Sequence, residues 1–166
     1  MAHGPRQSRR RFLGALAAST AVAATRSVVA MARPSYETLL DRQTPASAND
    51  RVQVALIGAG GMGVEDAKTA LTIPGVALVA VCDLYDGRLQ QARDRWGPDI
   101  QTTRDYREVL SRKDVDAVII GTPDHWHTLV NLAAVKAGKD IYAEKPLTLT
   151  IDEGKVLVRA VRQSKV

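Results

Sequence analysis

The 166-residue chain contains a single cysteine, Cys82. A lone cysteine builds no intrachain disulfide framework and no cysteine-rich zinc site. Aromatic residues are scarce, seven in all, with Phe12 the only phenylalanine. No run of 18 or more apolar residues escapes interruption by charge, so a spanning hydrophobic helix is not expected. Acidic residues are missing from one region. Residues 1–32 hold five of the 23 basic residues and none of the 18 acidic ones, so the rest of the chain carries 18 of each sign. The net charge of +5 and the pI near 9.6 therefore belong to the N-terminus. The remainder of the chain lacks the one-sided charge of a nucleic-acid binder. A composition 45% hydrophobic and 25% charged excludes wholesale disorder, and the length suits one domain with a tail.

Within the acid-free stretch, Ser8-Arg9-Arg10-Arg11-Phe12-Leu13 leads into an Ala-rich apolar run, Phe12 to Ala24. Ala21-Val22-Ala23 and Ala30-Met31-Ala32 offer A-x-A cleavage sites. The run is too short and too mildly hydrophobic to cross a bilayer. Paired arginines followed by Phe-Leu resemble a twin-arginine signal, with a Sec leader or a basic tail as the plainer alternatives. That resemblance implies engagement of the twin-arginine translocase, a periplasmic or otherwise exported destination, and no membrane attachment after cleavage. Residues 33–50, with Pro34, Pro45 and several small polar residues, read as a linker or arm with room for a short helix around Tyr36–Leu40.

From Arg51 the pattern becomes periodic. Val52–Ile57 is a short apolar run ending in glycines. Gly63–Thr72 follows as a helix, with Val64, Ala67 and Leu71 on one face. Val76–Cys82 is almost continuously apolar, as a strand covered on both faces should be. Leu89, Ala92 and Trp96 mark a helix stopped by Gly97-Pro98, and a weak strand at Gln101–Thr103 and a short helix from Asp105 come next. Ala117–Gly121 is a buried strand, Asp124–Ala137 a helix closed by Gly138, and Asp140–Ala143 a fifth strand. Thr150 and Glu153 form a capping box for a last helix, with Gly154, Leu157, Val158 and Val161 facing inward. Alternation at this spacing predicts an α/β fold, a Rossmann-type doubly wound parallel sheet in the order 3-2-1-4-5, over residues 51–166. A sixth strand would come next in such a sheet, so the chain reads as cut short at Val166.

The chemistry concentrates where strands end. Gly58-Ala59-Gly60-Gly61-Met62-Gly63 is a G-x-G-x-x-G between a strand and a helix. Asp83 stands at the end of the second strand, at the distance from Gly63 where a dinucleotide fingerprint places its acid. Gly58 permits the turn, Gly60 lets backbone approach a pyrophosphate, and Gly63 brings helix close to strand. With Gly61 and Met62 they make a dinucleotide site at a helix N-terminus. Asp83 would accept from ribose hydroxyls and favour NAD over NADP, whereas Arg88 keeps NADP open. A turn-forming role is the plainer alternative for Asp83. His125 and His127 sit two apart, on different helical faces, so no shared metal is expected. Cys82 reads as a small apolar filler.

Two further motifs are Gly121-Thr122-Pro123-Asp124-His125-Trp126-His127 and Ala143-Glu144-Lys145-Pro146. With the glycine fingerprint, they make residues 51–166 resemble the N-terminal half of the Gfo/Idh/MocA oxidoreductase family. The resemblance implies that Lys145 is catalytic, its ammonium donating to a substrate hydroxyl or moving its proton. It implies that Glu144 orients that region, that Pro146 fixes the backbone, and that Thr122 and Pro123 line the nicotinamide ribose. His127 matches a histidine near the nicotinamide and is expected in the catalytic set with Lys145, and Trp126 would wall the pocket. Family members also carry a second α/β domain that supplies substrate contacts and the oligomer interface, which this chain lacks. The expected function is the NAD(P)-binding domain of an oxidoreductase acting on a secondary alcohol of a sugar or cyclitol, a homo-oligomer at full length. An NAD-dependent glycosidase working by transient oxidation and elimination, and a non-catalytic nucleotide-binding fragment, are the alternatives.

Overall fold

A computed structural model describes residues 51–166; the expected export signal over 1–32 and the arm over 33–50 lie outside the described residues. Five strands and five helices alternate: β1 (Val52–Ile57), α1 (Gly61–Ala70), β2 (Val76–Cys82), α2 (Asp86–Trp96), β3 (Gln101–Thr103), α3 (Tyr106–Ser111), β4 (Ala117–Ile120), α4 (Asp124–Lys136), β5 (Asp140–Ala143) and α5 (Ile151–Gln163). The strands form one parallel sheet in the order β3-β2-β1-β4-β5, as expected from the sequence. Helix α1 begins two residues earlier than its apolar spacing suggests, because the glycine turn itself winds into the first helical turn.

Strand alternation sorts the core into two layers. Ala55, Ile57, Ala80, Cys82, Val118 and Ile120 meet Val109 and Leu110 of α3 and Val130 and Ala134 of α4. Val54, Leu56, Val81 and Ile119 meet Ala67 of α1 and Leu89 and Ala92 of α2 on the other side. The sheet is thus covered on both faces, which accounts for the unbroken apolar runs of β2 and β4. The expected stop of α4 also holds. Gly138, at φ +69°, follows the helix in the left-handed region. Its N–H donates to the Val135 carbonyl and the Lys139 N–H to that of Ala134, the paired bonds of a Schellman motif.

One expectation is corrected. Gly154, Leu157, Val158 and Val161 do not face a core, because no residue of α5 is buried. Val158 is 49% exposed, and Ile151 at the start of the helix is 82% exposed. Helix α5 follows β5, an edge strand, so among the described residues no further strand lies beneath its apolar face. The helix is held at its N-terminus and against α4 instead. Thr150 accepts from the Glu153 N–H, and the Glu153 carboxylate accepts from the N–H groups of Leu149 and Thr150, the expected capping box. That carboxylate also accepts from the Thr128 hydroxyl of α4 at 3.3 Å.

Candidate cofactor-binding site

In a sheet of order 3-2-1-4-5 the connections from β1 and β4 leave in opposite directions, and a crevice opens at their C-terminal ends. Three glycines close the floor of that crevice. Gly58 has φ +93°, and a methyl on it would lie 2.6 Å from the Gly121 carbonyl. A methyl on Gly63 would lie 2.2 Å from the Gly58 oxygen, and one on Gly121 2.7 Å from the Gly63 Cα. Backbone from β1, α1 and β4 therefore meets where no side chain fits. Gly60 and Gly61 differ. Nothing lies within 4 Å of a Cβ on Gly61, and only the Arg88 guanidinium, at 3.8 Å, approaches one on Gly60. No side chain caps the N-terminus of α1, and Met62 stands exposed beside it. Open backbone at an uncapped helix N-terminus suits a phosphate.

Asp83, 8% exposed, locks this turn to β2. Its Oδ2 accepts from the Ala59 N–H at 2.9 Å and from Arg88 Nη1 at 3.3 Å, and its Oδ1 accepts from the Tyr85 N–H at 2.9 Å. Three of its roughly four acceptor positions are thus filled, which leaves one on Oδ1 for a ribose hydroxyl. Neighbouring Cys82 is buried, and burial pushes its thiol up to about 12, which makes it inert packing. A cleft of about 850 Å³ runs from Gly58 and Asp83 to Gly121, Thr122, Pro123 and Trp126. On its wall the Thr122 hydroxyl is buried without a hydrogen-bond partner. Such an orphan group calls for a polar ligand. The glycine floor and this hydroxyl fit the two halves of a dinucleotide.

Glu144 and Lys145 lie outside the walls of that cleft, though at the same edge of the sheet, where the Glu144 N–H donates to the Ile120 carbonyl. Lys145 is exposed, and its bond to Pro146 is cis. Glu144 faces Asp66 of α1, an encounter the sequence spacing does not reveal. Burial, and then the Glu144 carboxylate, raise the Asp66 carboxyl above its ordinary range. His127 is 1% exposed, with both ring nitrogens against backbone carbonyls, Nδ1 at 2.5 Å from Pro146 and Nε2 at 2.6 Å from Thr122. His125 stays at the surface. Gly121, expected only as a strand end, is as tightly packed as the fingerprint glycines; its signal is a glycine immediately after an apolar strand.

The strand order, the glycine turn and the acid at the end of β2 define a Rossmann-type dinucleotide-binding domain. Residues 52–166 match the GFO_IDH_MocA family, described as the oxidoreductase family with an NAD-binding Rossmann fold, and the chain belongs to that family. A glycosyl hydrolase family 109 protein of Shewanella baltica is 37% identical over 112 residues, covering 63% of this chain and 24% of that relative. Inositol 2-dehydrogenase of Salmonella typhimurium is 32% identical over 114 residues, covering 68% and 34%. Among solved structures, myo-inositol 2-dehydrogenase from Lactobacillus plantarum superimposes with a TM-score of 0.64 at 28% identity, over 69% of this chain and 34% of that one. GenD2 of gentamicin A biosynthesis, solved in complex with NAD, gives 0.64 at 27%, over 69% and 32%. The chain spans about a quarter to a third of the length of these relatives.

Proposed function

We propose that this chain provides the cofactor half of an exported oxidoreductase. The reaction is hydride exchange between a nicotinamide and a secondary alcohol of a sugar or cyclitol. The observation that carries this reading is the meeting of three features at one sheet edge: the glycine floor, the unpaired Thr122 hydroxyl, and the Glu144-Lys145-Pro146 turn beside them. Bound NAD would supply the hydride-accepting ring. Gly60, Gly61 and the first turn of α1 would hold the phosphates, Asp83 the adenosine ribose, and Thr122 and Pro123 the second ribose. Lys145 would hold the substrate hydroxyl and take its proton. Asp83 favours NAD, and Arg88 is the cation a 2′-phosphate would meet. Export rests on Arg9-Arg10 and on the absence of acids over residues 1–32.

Trp126 borders the cleft, so NADH binding is read as quenching of protein fluorescence. The unaltered chain is expected to bind. Lys145→Ala is expected to bind equally well and, in an active assembly, to lose about 10²–10⁴-fold in rate. A loss of affinity without loss of rate would contradict the lysine's role. Arg9→Lys with Arg10→Lys should abolish periplasmic accumulation, and undiminished export would remove the twin-arginine reading.

The 37% identity to a glycosyl hydrolase family 109 protein favours a second reading, in which the same cofactor site serves glycoside cleavage. Cleavage of an aryl glycoside with no accumulated NADH supports it. Reduction of added NAD by a free polyol supports the dehydrogenase.

A further inference from the structure

Resting on the reading that the nicotinamide half lies at the ends of β4 and β5, we propose that His127 is a positioning residue. Its ring ties the Thr122 loop to the Pro146 loop and thereby sets where Lys145 stands, without touching substrate or cofactor. A histidine acting on a substrate needs a ring nitrogen facing it. Here the ring is 1% exposed, and both nitrogens are engaged by carbonyl oxygens from two different loops. Carbonyl oxygens only accept and a neutral imidazole carries a single N–H, so the tautomer decides which loop receives the donated hydrogen bond while the ring packs between both.

What the ring holds matters as much as that it is held. Thr122 carries the orphan hydroxyl on the cleft wall, and Pro146 directly follows Lys145. Among the described residues, no other hydrogen bond reaches Lys145, Pro146 or Leu147. The turn leaves the sheet after the Glu144–Ile120 bond and is next fixed at Thr148, whose hydroxyl donates to the Thr150 carbonyl. An exposed lysine between those points has the freedom of its loop, except where His127 reaches up from α4. The ring sits in the first turns of α4, a helix anchored in the core through Val130 and Ala134, so the tether is rigid at its base.

The experiment uses the whole 166-residue chain with three substitutions. His127→Phe keeps a ring and removes both ring nitrogens. His127→Asn keeps a donor near the Nδ1 position, facing Pro146. His127→Gln keeps one near the Nε2 position, facing Thr122. Backbone order at Lys145 and Leu147 is read by ¹⁵N relaxation, and affinity is measured for NAD and for ADP, which lacks both the second ribose and the nicotinamide. Expected for His127→Phe is a fall in order at Lys145 and Leu147 from about 0.85 to below about 0.6. NAD is expected to bind roughly tenfold more weakly, the equivalent of one lost hydrogen bond, with ADP unchanged. His127→Asn should restore order at Lys145 and His127→Gln should not. That contrast remains decisive if the phenylalanine variant fails to fold. Unchanged order in a folded His127→Phe, or identical behaviour of the Asn and Gln variants, would overturn the positioning role alone. Failure of the unaltered chain to bind NAD would overturn the functional reading and this proposal with it.

Discussion

Glycines that look alike in the sequence do different work at the residue scale. A methyl on Gly63 meets the Gly58 oxygen at 2.2 Å, and backbone atoms cannot move aside without moving β1. Gly63→Ala is expected to cost about 1–3 kcal/mol in urea unfolding, the range for overpacking. Gly60→Ala faces open space and should change stability by no more than about 0.5 kcal/mol, while weakening NAD binding. Equal destabilisation by the two would contradict the division between floor and cradle. The fingerprint was legible because its spacing is local. Gly121 was not legible as part of it, because the groups it must clear, at Gly58 and Gly63, belong to a turn far earlier in the chain. Asp83 was legible as an acid at the end of β2, but not as the acceptor of two backbone N–H groups, which depends on how closely the β1–α1 turn approaches.

Asp66 is a second residue whose behaviour comes from a distant neighbour. Its folded-state pKa is raised, first by burial and then by Glu144. The folded chain therefore keeps the Asp66 proton to higher pH than the unfolded chain does. In that interval the folded state binds more protons, so stability falls as pH rises through it. Above the interval the cost is fully present; below the ordinary aspartate pKa it is absent. Asp66→Asn should accordingly be more stable than the parent at pH 7, with the difference vanishing in acid. Thermal unfolding at both pH values checks this. A variant less stable at pH 7 would show that Asp66 makes a favourable ionic contact instead.

At the scale of elements, every strand and helix from β1 to β5 was located, and all but the weak strand β3 (Gln101–Thr103) have an apolar face that another element covers. The last helix shows the limit of that inference. A stripe of Leu157, Val158 and Val161 states that a face is apolar; it does not state that anything covers it. Here α5 lies past the sheet edge, and its stability rests on the Thr150–Glu153 cap and on α4. Thr150→Ala is expected to cost about 1 kcal/mol, concentrated in this helix. Hydrogen exchange in α5 should then accelerate by about fivefold while β1 and β4 are unaffected. Uniform acceleration throughout the sheet would mean that α5 unfolds only with the rest.

At the scale of the whole molecule, the strand order brings the ends of β1, β2, β3 and β4 to one cleft, and α5 contributes nothing to its walls. A ligand in that cleft touches the ends of four neighbouring strands and binds the unfolded chain not at all. It must therefore stabilise the fold by mass action, by about 2.7 kcal/mol at a hundred times its dissociation constant. The gain should appear as slowed exchange at the Gly58–Gly63 turn and around Asp83 and Thr122, with much less effect in α5, because the cap and the α4 contact hold that helix without reference to the cleft. Gly60→Val, whose branched side chain would stand where the phosphates go, should lose the increment and keep the baseline, since its fold contacts are few. Lys145→Ala should keep both, because the lysine is exposed and none of the hydrogen bonds that fix the glycine turn and Asp83 involves it. Stabilisation by NAD that survives Gly60→Val would place the phosphates elsewhere and remove the physical basis for reading the glycine turn as their seat.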